Sequence, residues 1–187
     1  MKNILLIILI SILATELSAQ NLLENVLEDK SLIVYDKPTK PKLPYFILYD
    51  EKDFFTGKSK PDSLNVRELM SKIDTLEIDY SNWTKDDLKN RIIVSKGKKI
   101  DLKQEMLKIS GKPKIEQKKL KKEIRGFNNN KSGWRSYPLS ISRPIISNDG
   151  KMALITIIRG NSGGSTLLYK MENDEWKYFE YLERWAY

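Results

Sequence analysis

The sequence predicts an α+β fold: a C-terminal antiparallel β-meander packed by helices from the middle of the chain. Three observations predict it. From Ile141 to Tyr187, four strand-like segments follow one another with turn chemistry at every join. The run Leu154-Ile155-Thr156-Ile157-Ile158 is apolar and β-branched on both faces, as a central strand requires. Between Ser63 and Phe127 the apolar residues recur at helical rather than alternating spacing.

The elements follow in order. Lys2 supplies a positive start, Ile4 to Leu13 an apolar core, and Ser18-Ala19 a small-residue exit ahead of Gln20, the pattern of a secretory signal peptide over residues 1–19. The apolar run is shorter than the about 20 residues that span a bilayer, and Glu16 interrupts its end. No Cys follows the expected cleavage site, so attachment of the bacterial lipoprotein kind is excluded, and no later segment is apolar enough to re-anchor the chain. The expectation is an exported protein, periplasmic or secreted, without a transmembrane anchor after cleavage.

Residues 20–44 read as an N-terminal segment and Pro-rich connector, and residues 45–187 as a single α+β domain. Leu22, Leu23, Val26 and Leu27 stand at helical spacing, and Ser31 to Tyr35 has strand propensity. Pro38, Pro41 and Pro44 then recur every third residue, with Lys37, Lys40 and Lys42 between. That is the polyproline II period, which suits a stiff connector better than a peptide motif for a partner domain. Tyr45 to Tyr49 reads as a strand and Asp50 to Lys60 as a polar, turn-like stretch.

After Pro61-Asp62-Ser63, Val66, Leu69, Met70 and Ile73 mark one helical face. Thr84 with Asp87 predicts a capping box before a helix of one or two turns to Asn90, and Arg91 to Ser95 a short strand. Leu102, Met106 and Ile109 define a helix that Ser110-Gly111 ends. Pro113 opens the next, whose narrow stripe is Leu120, Ile124 and Phe127, with Gly126 and Asn128 to Asn130 closing it. Ser132 to Tyr137 is a loop into the meander. There, Ile141–Ser147, Met152–Arg159, Thr166–Met171 and Trp176–Tyr187 are the expected strands, separated by Asn148-Asp149-Gly150, by Gly160 to Gly164 and by Glu172 to Glu175.

Composition removes whole classes of chemistry. The chain has no Cys and no His. Disulfides, His general bases, His-dependent triads and nearly every zinc site are therefore out of reach. No cofactor and no metal is expected.

The formal charge of +8 is concentrated. Lys96 to Arg125 carries twelve Lys or Arg against four Asp or Glu, an excess equal to the charge of the whole chain. Lys96, Lys98, Lys99, Lys118, Lys119, Lys121 and Lys122 are the candidate anion-binding residues. Two readings stand: a solvated face that keeps thinly striped helices soluble, or a surface that attracts phosphate-rich polymers or anionic headgroups. The segment holds no aromatic residue before Phe127, which argues against a base-stacking site.

Other constellations have sufficient structural reasons. Gly160-Asn161-Ser162-Gly163-Gly164 is similar to the surroundings of a trypsin-like nucleophile, but that serine needs a His, which leaves composition only a Ser–Lys pair for catalysis at Ser162. The glycines also lie between two strands, where a phosphate cradle would sit between a strand and a helix. Asp149 has no neighbouring carboxylate for a calcium cage. Glu180 and Glu183 fall on opposite faces of a regular strand, which argues against a local acid/base pair. Trp176, Tyr178, Phe179, Tyr181, Trp185 and Tyr187 fit an alternating core face better than a sugar- or partner-stacking surface.

Ser142-Arg143-Pro144, Asn148 to Ile155, the Gly163-Gly164 loop, Leu168-Tyr169-Lys170 and Glu175-Trp176-Lys177 together resemble a pattern in small exported bacterial proteins of unknown function that end in a Gly-split β-meander. The resemblance implies the meander and no activity. Many of those proteins carry Cys around the Gly-rich loop; this chain does not.

The expected function is that of an exported, non-catalytic binding or envelope-associated protein contacting an anionic envelope component; the alternative is a hydrolase that attacks an envelope polymer through carboxylates. Intact-mass measurement on protein recovered from the envelope or medium is expected to give a chain beginning at Gln20 or within a residue or two of it. A full-length cytoplasmic product would contradict export.

Overall fold

The computed structural model describes residues 19–28, 32–42, 63–75, 80–129 and 138–186. In chain order these form α1 (residues 19–27), β1 (Ile33–Tyr35), α2 (Ser63–Thr75), β2 (Ile92–Val94), α3 (Leu102–Lys108), α4 (Lys114–Asn128), β3 (Leu139–Ile141), β4 (Ile145–Ile146), β5 (Met152–Arg159), β6 (Gly164–Glu172) and β7 (Glu175–Trp185). The strands form one sheet ordered β2-β1-β3-β5-β6-β7, with β4 also paired to β5. β1 runs parallel to β2 and β3, and every other pairing is antiparallel. The architecture is α+β, with the C-terminal meander β5-β6-β7 as expected from the sequence.

β5 is the centre of the sheet, and its residues Met152 to Ile157 are all buried. Alternation sends Ala153, Ile155 and Ile157 to one face, where Leu139, Ile141, Leu167, Tyr169 and Trp176 extend the apolar surface. α1 covers that face with Leu22, Leu23, Val26 and Leu27, and Trp83 and Leu88 complete the cluster. Met152, Leu154 and Leu168 point to the other face and pack against Val66 and Leu69 of α2. Farther along this second face, Ile33 and Val94 meet Leu120 and Ile124 of α4.

Polar contacts fix α1 in place. Its Asn25 side chain donates to the carbonyl of Trp176 at 2.9 Å. The Arg91 guanidinium donates to the Leu27 carbonyl, satisfying a C-terminal group that the helix itself leaves open. Burial lowers the Arg91 pKa and the nearby Glu123 carboxylate opposes that shift.

The Pro-rich stretch lies against the sheet. Pro38 and Pro41 are buried, the Thr39 amide donates to the Ile141 carbonyl at 2.9 Å, and the Lys42 amide donates to Thr156 Oγ1 at 2.9 Å. Proline suits this course because the amides that bond the sheet, those of Thr39 and Lys42, each follow a proline and are not the ones it lacks.

Several elements differ from the sequence expectation. Ile141–Ser147 is two short strands, because the pairing slips between Ile141↔Ile157 and Ile145↔Leu154. Ser142 bridges the slip: its amide donates to the Thr156 carbonyl, and its hydroxyl accepts from the Thr156 amide, each at 2.9 Å. The capping box forms, with the Thr84 amide donating to Asp87 at 2.8 Å and the Asp87 amide to Thr84 Oγ1 at 3.2 Å. Only turns follow it, and Asn90 at φ 58 ends them. α4 continues through Gly126 to Asn128, since Ile124 and Phe127 hold that turn against the sheet. The leader through Ser18, the Tyr45–Tyr49 strand, Asp50–Lys60 and the Ser132–Tyr137 loop lie outside the described residues.

The Gly-rich loop has a steric cause. Gly163 has φ +113, and a Cβ there would lie 2.1 Å from the Trp185 carbonyl oxygen. A Cβ on Gly164 would lie 2.4 Å from the Trp185 ring. β7 therefore closes onto bare backbone at this end of β6.

Trp176 is 3% exposed within the α1 cluster, so Trp176→Ala is expected to cost about 3–5 kcal/mol in denaturant titration, the range for a buried large aromatic. Gly163→Ala is expected to destabilise the protein clearly more than Gly150→Ala in the same titration, although both positions have positive φ. The Cβ at Gly150 meets nothing within 4 Å, so that change carries only a backbone cost of about 1–2 kcal/mol.

Candidate functional site

The basic segment is built by α3, α4 and the turn that precedes them. Gly97, at φ +81, lets the chain turn after β2, and the Lys98 amide closes the turn on the Ser95 carbonyl at 3.1 Å. The chain is then held by Asn128. Ile100 donates its amide to Asn128 Oδ1 at 2.8 Å and accepts from Asn128 Nδ2 at 2.7 Å. Asp101 caps α3 through the amides of Lys103 and Gln104. Gln117 locks the α3–α4 turn by donating to the carbonyls of Ser110 and Lys112, at 3.1 and 2.8 Å.

All twelve Lys and Arg residues of this segment are exposed. The acidic residues among them are largely engaged by the fold. Asp101 caps α3, Glu105 pairs with Lys108, and Glu123 accepts from the Leu32 amide at 2.9 Å. Because Leu120 and Ile124 face the sheet, Lys118, Lys119, Lys121 and Lys122 are distributed around the rest of α4.

The structure places the other candidates, Lys96, Lys98 and Lys99, near the C-terminal end of α4, through the Ile100–Asn128 clamp. At 1.5 Å per residue, Asn128 lies about 15 Å along the helix from Lys118, nearly two screening lengths in physiological salt. The seven lysines thus form a long stripe with no single focus, a geometry suited to an extended polyanionic surface and poorly suited to a small anion.

Two residues that the sequence stripe leaves out belong to the same region. Leu107 of α3 and Ile115 of α4 are 66% and 78% exposed, the highest values among the described large hydrophobics. The signal was in their spacing. Neither shares the inward face of Leu102, Met106 and Ile109 or of Leu120, Ile124 and Phe127.

The remaining constellations are tied to structural partners. Ser162 donates its hydroxyl to the Arg159 carbonyl at 2.8 Å, a turn contact that occupies the proton a nucleophile would give up. In the Asn148-Asp149-Gly150 turn, Asp149 accepts from the Ser147 hydroxyl and the Lys151 amide. No cluster of three or more Asp or Glu able to hold a metal occurs among the described residues.

Glu180 and Glu183 are brought to the same face, against expectation. Register shifts in β6–β7 place Glu183 opposite Thr166 and Glu180 opposite Leu168, two residues of one parity. Glu183 lies 3.9 Å from Lys42 Nζ, which also stands 4.0 Å from the Trp185 ring centroid.

Of the C-terminal aromatics, Trp176 is core, Phe179 packs partly against the α2 side, and Trp185 is half-buried on Gly164. Tyr178 and Tyr181 are exposed, with ring centroids 5.2 Å apart. Burial, with Tyr181 and Tyr178 adding to it, pushes the Tyr169 hydroxyl to about 12. Tyr187 lies outside the described residues.

An open cleft of about 230 Å³ lies between α1 and residues 87–91. Most of its charged groups have partners within the fold: Glu24 lies 3.8 Å from Lys89, Asp87 belongs to the capping box and lies 3.6 Å from Arg143, and Arg91 caps α1. Elsewhere, Lys72 at 2.8 Å holds the Glu68 carboxyl below its ordinary range, with the Asn148 amide assisting and burial opposing. A general acid needs the opposite shift. No helix among the described residues is long and apolar enough to cross a membrane. Comparison with protein-family models, with curated proteins and with solved structures finds no match to this chain.

Proposed function

We propose that this is an exported, non-catalytic binding protein that contacts an extended anionic partner of the cell envelope through the α3–α4 stripe. The observation that carries the reading is the segregation of charge. Every Lys and Arg between Lys96 and Arg125 is exposed, while Asp101, Glu105 and Glu123 are engaged in capping, pairing or a backbone contact. A protein that needed lysines for solubility alone could scatter them over its surface. Here they share α3, α4 and the turns beside them, so the stripe attracts a partner whose own charges are spread out.

Export is part of the proposal and rests on the leader pattern of residues 1–19.

The test is a fourfold change, Lys118, Lys119, Lys121 and Lys122 to Gln, which keeps helix propensity while removing charge. Stability is expected to change by less than about 0.5 kcal/mol per substitution, as on an exposed surface. Affinity for polyanions such as polyphosphate, and for lipopolysaccharide, is expected to fall, and its salt dependence to flatten, as fewer counterions are released. A wild-type protein with no salt-sensitive binding to any of these at about 0.15 M salt would reduce the lysines to a solubility device.

A further inference from the structure

We infer that the α3–α4 hairpin docks on an anionic lipid bilayer, with Leu107 and Ile115 entering the headgroup–acyl boundary while the surrounding lysines hold the surface. The inference rests on the anionic-partner reading above and names its partner. Charge alone fits any extended polyanion; the two aliphatic side chains distinguish a bilayer from a soluble polymer.

Leu107 and Ile115 flank the turn of residues 109–113, each exposed and outside the inward face of its own helix. Ile115 shares its face of α4 with Lys118, Lys119 and Lys122, at i+3, i+4 and i+7, and Leu107 shares its face of α3 with Lys103, at i−4. Lys108, Lys112 and Lys114 border the turn between them, all exposed. Single exposed aliphatics are ordinary on protein surfaces. The two most exposed large hydrophobics of the described residues, however, stand at one turn, inside the segment that carries the whole excess charge.

Apolar side chains ringed by lysines form the pattern of a membrane-interfacial element. The apolar part is buried at the acyl boundary while the lysine stems extend along it and keep their ammonium groups among the phosphates. Gln117 clamps the turn through Ser110 and Lys112, so the hairpin presents both side chains without first having to order itself. Anionic lipid supplies the complementary charge.

The test uses vesicles of phosphatidylcholine with roughly one third phosphatidylglycerol, against phosphatidylcholine alone and against soluble polyphosphate. All proteins are recovered from the same compartment in the same processed form, so any contribution of residues 1–19 is common to them. Since the chain has no Cys, Leu107→Cys, Ile115→Cys and, as a distant control, Asn173→Cys each take one environment-sensitive label. Labels at 107 and 115 are expected to shift to apolar emission on the anionic vesicles only, and the label at 173 to stay aqueous. Leu107→Ser with Ile115→Ser is expected to weaken vesicle binding at least about tenfold while leaving polyphosphate binding unchanged.

A double variant that binds vesicles like the wild type, with labels that stay aqueous, would overturn insertion and leave the charge reading standing. Binding of polyphosphate without binding of anionic vesicles would overturn the bilayer as partner. Binding of neither would remove the anionic-partner reading itself.

Discussion

The structure depends on one constraint: β5 is apolar on both sides, so the sheet must be covered twice. A strand with one polar face could have left half the sheet in water, as antiparallel sheets often do. Here Ile155 and Ile157 demand cover on one side, and Leu154 demands it on the other. The consequence is a division of labour among the helices. α1, at the N-terminal end of the described chain, closes the first face; α2 and α4 close the second.

Covering both faces brings polar groups inside, and the molecule satisfies most of them in pairs. Thr156 and Thr166 stand opposite each other with their hydroxyls 2.9 Å apart. Their other partners come from neighbouring elements. Thr156 accepts from the Lys42 amide and donates its own amide to Ser142, and Thr166 donates to the Lys42 carbonyl. Such a network rewards one arrangement of strap and sheet, since any shift would strand buried hydroxyls at a cost of about 1–3 kcal/mol each. Arg91 and Glu123 link α1, β2 and α4 in a comparable way.

The basic stripe follows from the same economy of apolar surface. α4 needs only Leu120, Ile124 and Phe127 to dock, which leaves most of its circumference free for lysine. The positive field is therefore a property of a helix whose packing duty is light. Exposed Leu107 and Ile115 are not explained by docking at all, since the inward faces of α3 and α4 are complete without them.

The sequence by itself determined the meander, the central place of β5 and the helices α2, α3 and α4, because those features are local: period, turn residues and caps act over a few positions. It also located the charge excess, which is a matter of counting. Only the tertiary structure decided what depends on distant partners. It packed α1 and Pro38 and Pro41 into the body of the protein, split the expected Ile141–Ser147 strand at Ser142, and turned Glu180 and Glu183 to one face through shifts in register. It also gave Gly163 and Gly164 their reason in the close approach of Trp185, a residue more than twenty positions away. In each case the deciding contact joins segments far apart in sequence, and nothing in the local pattern of either segment encodes the other.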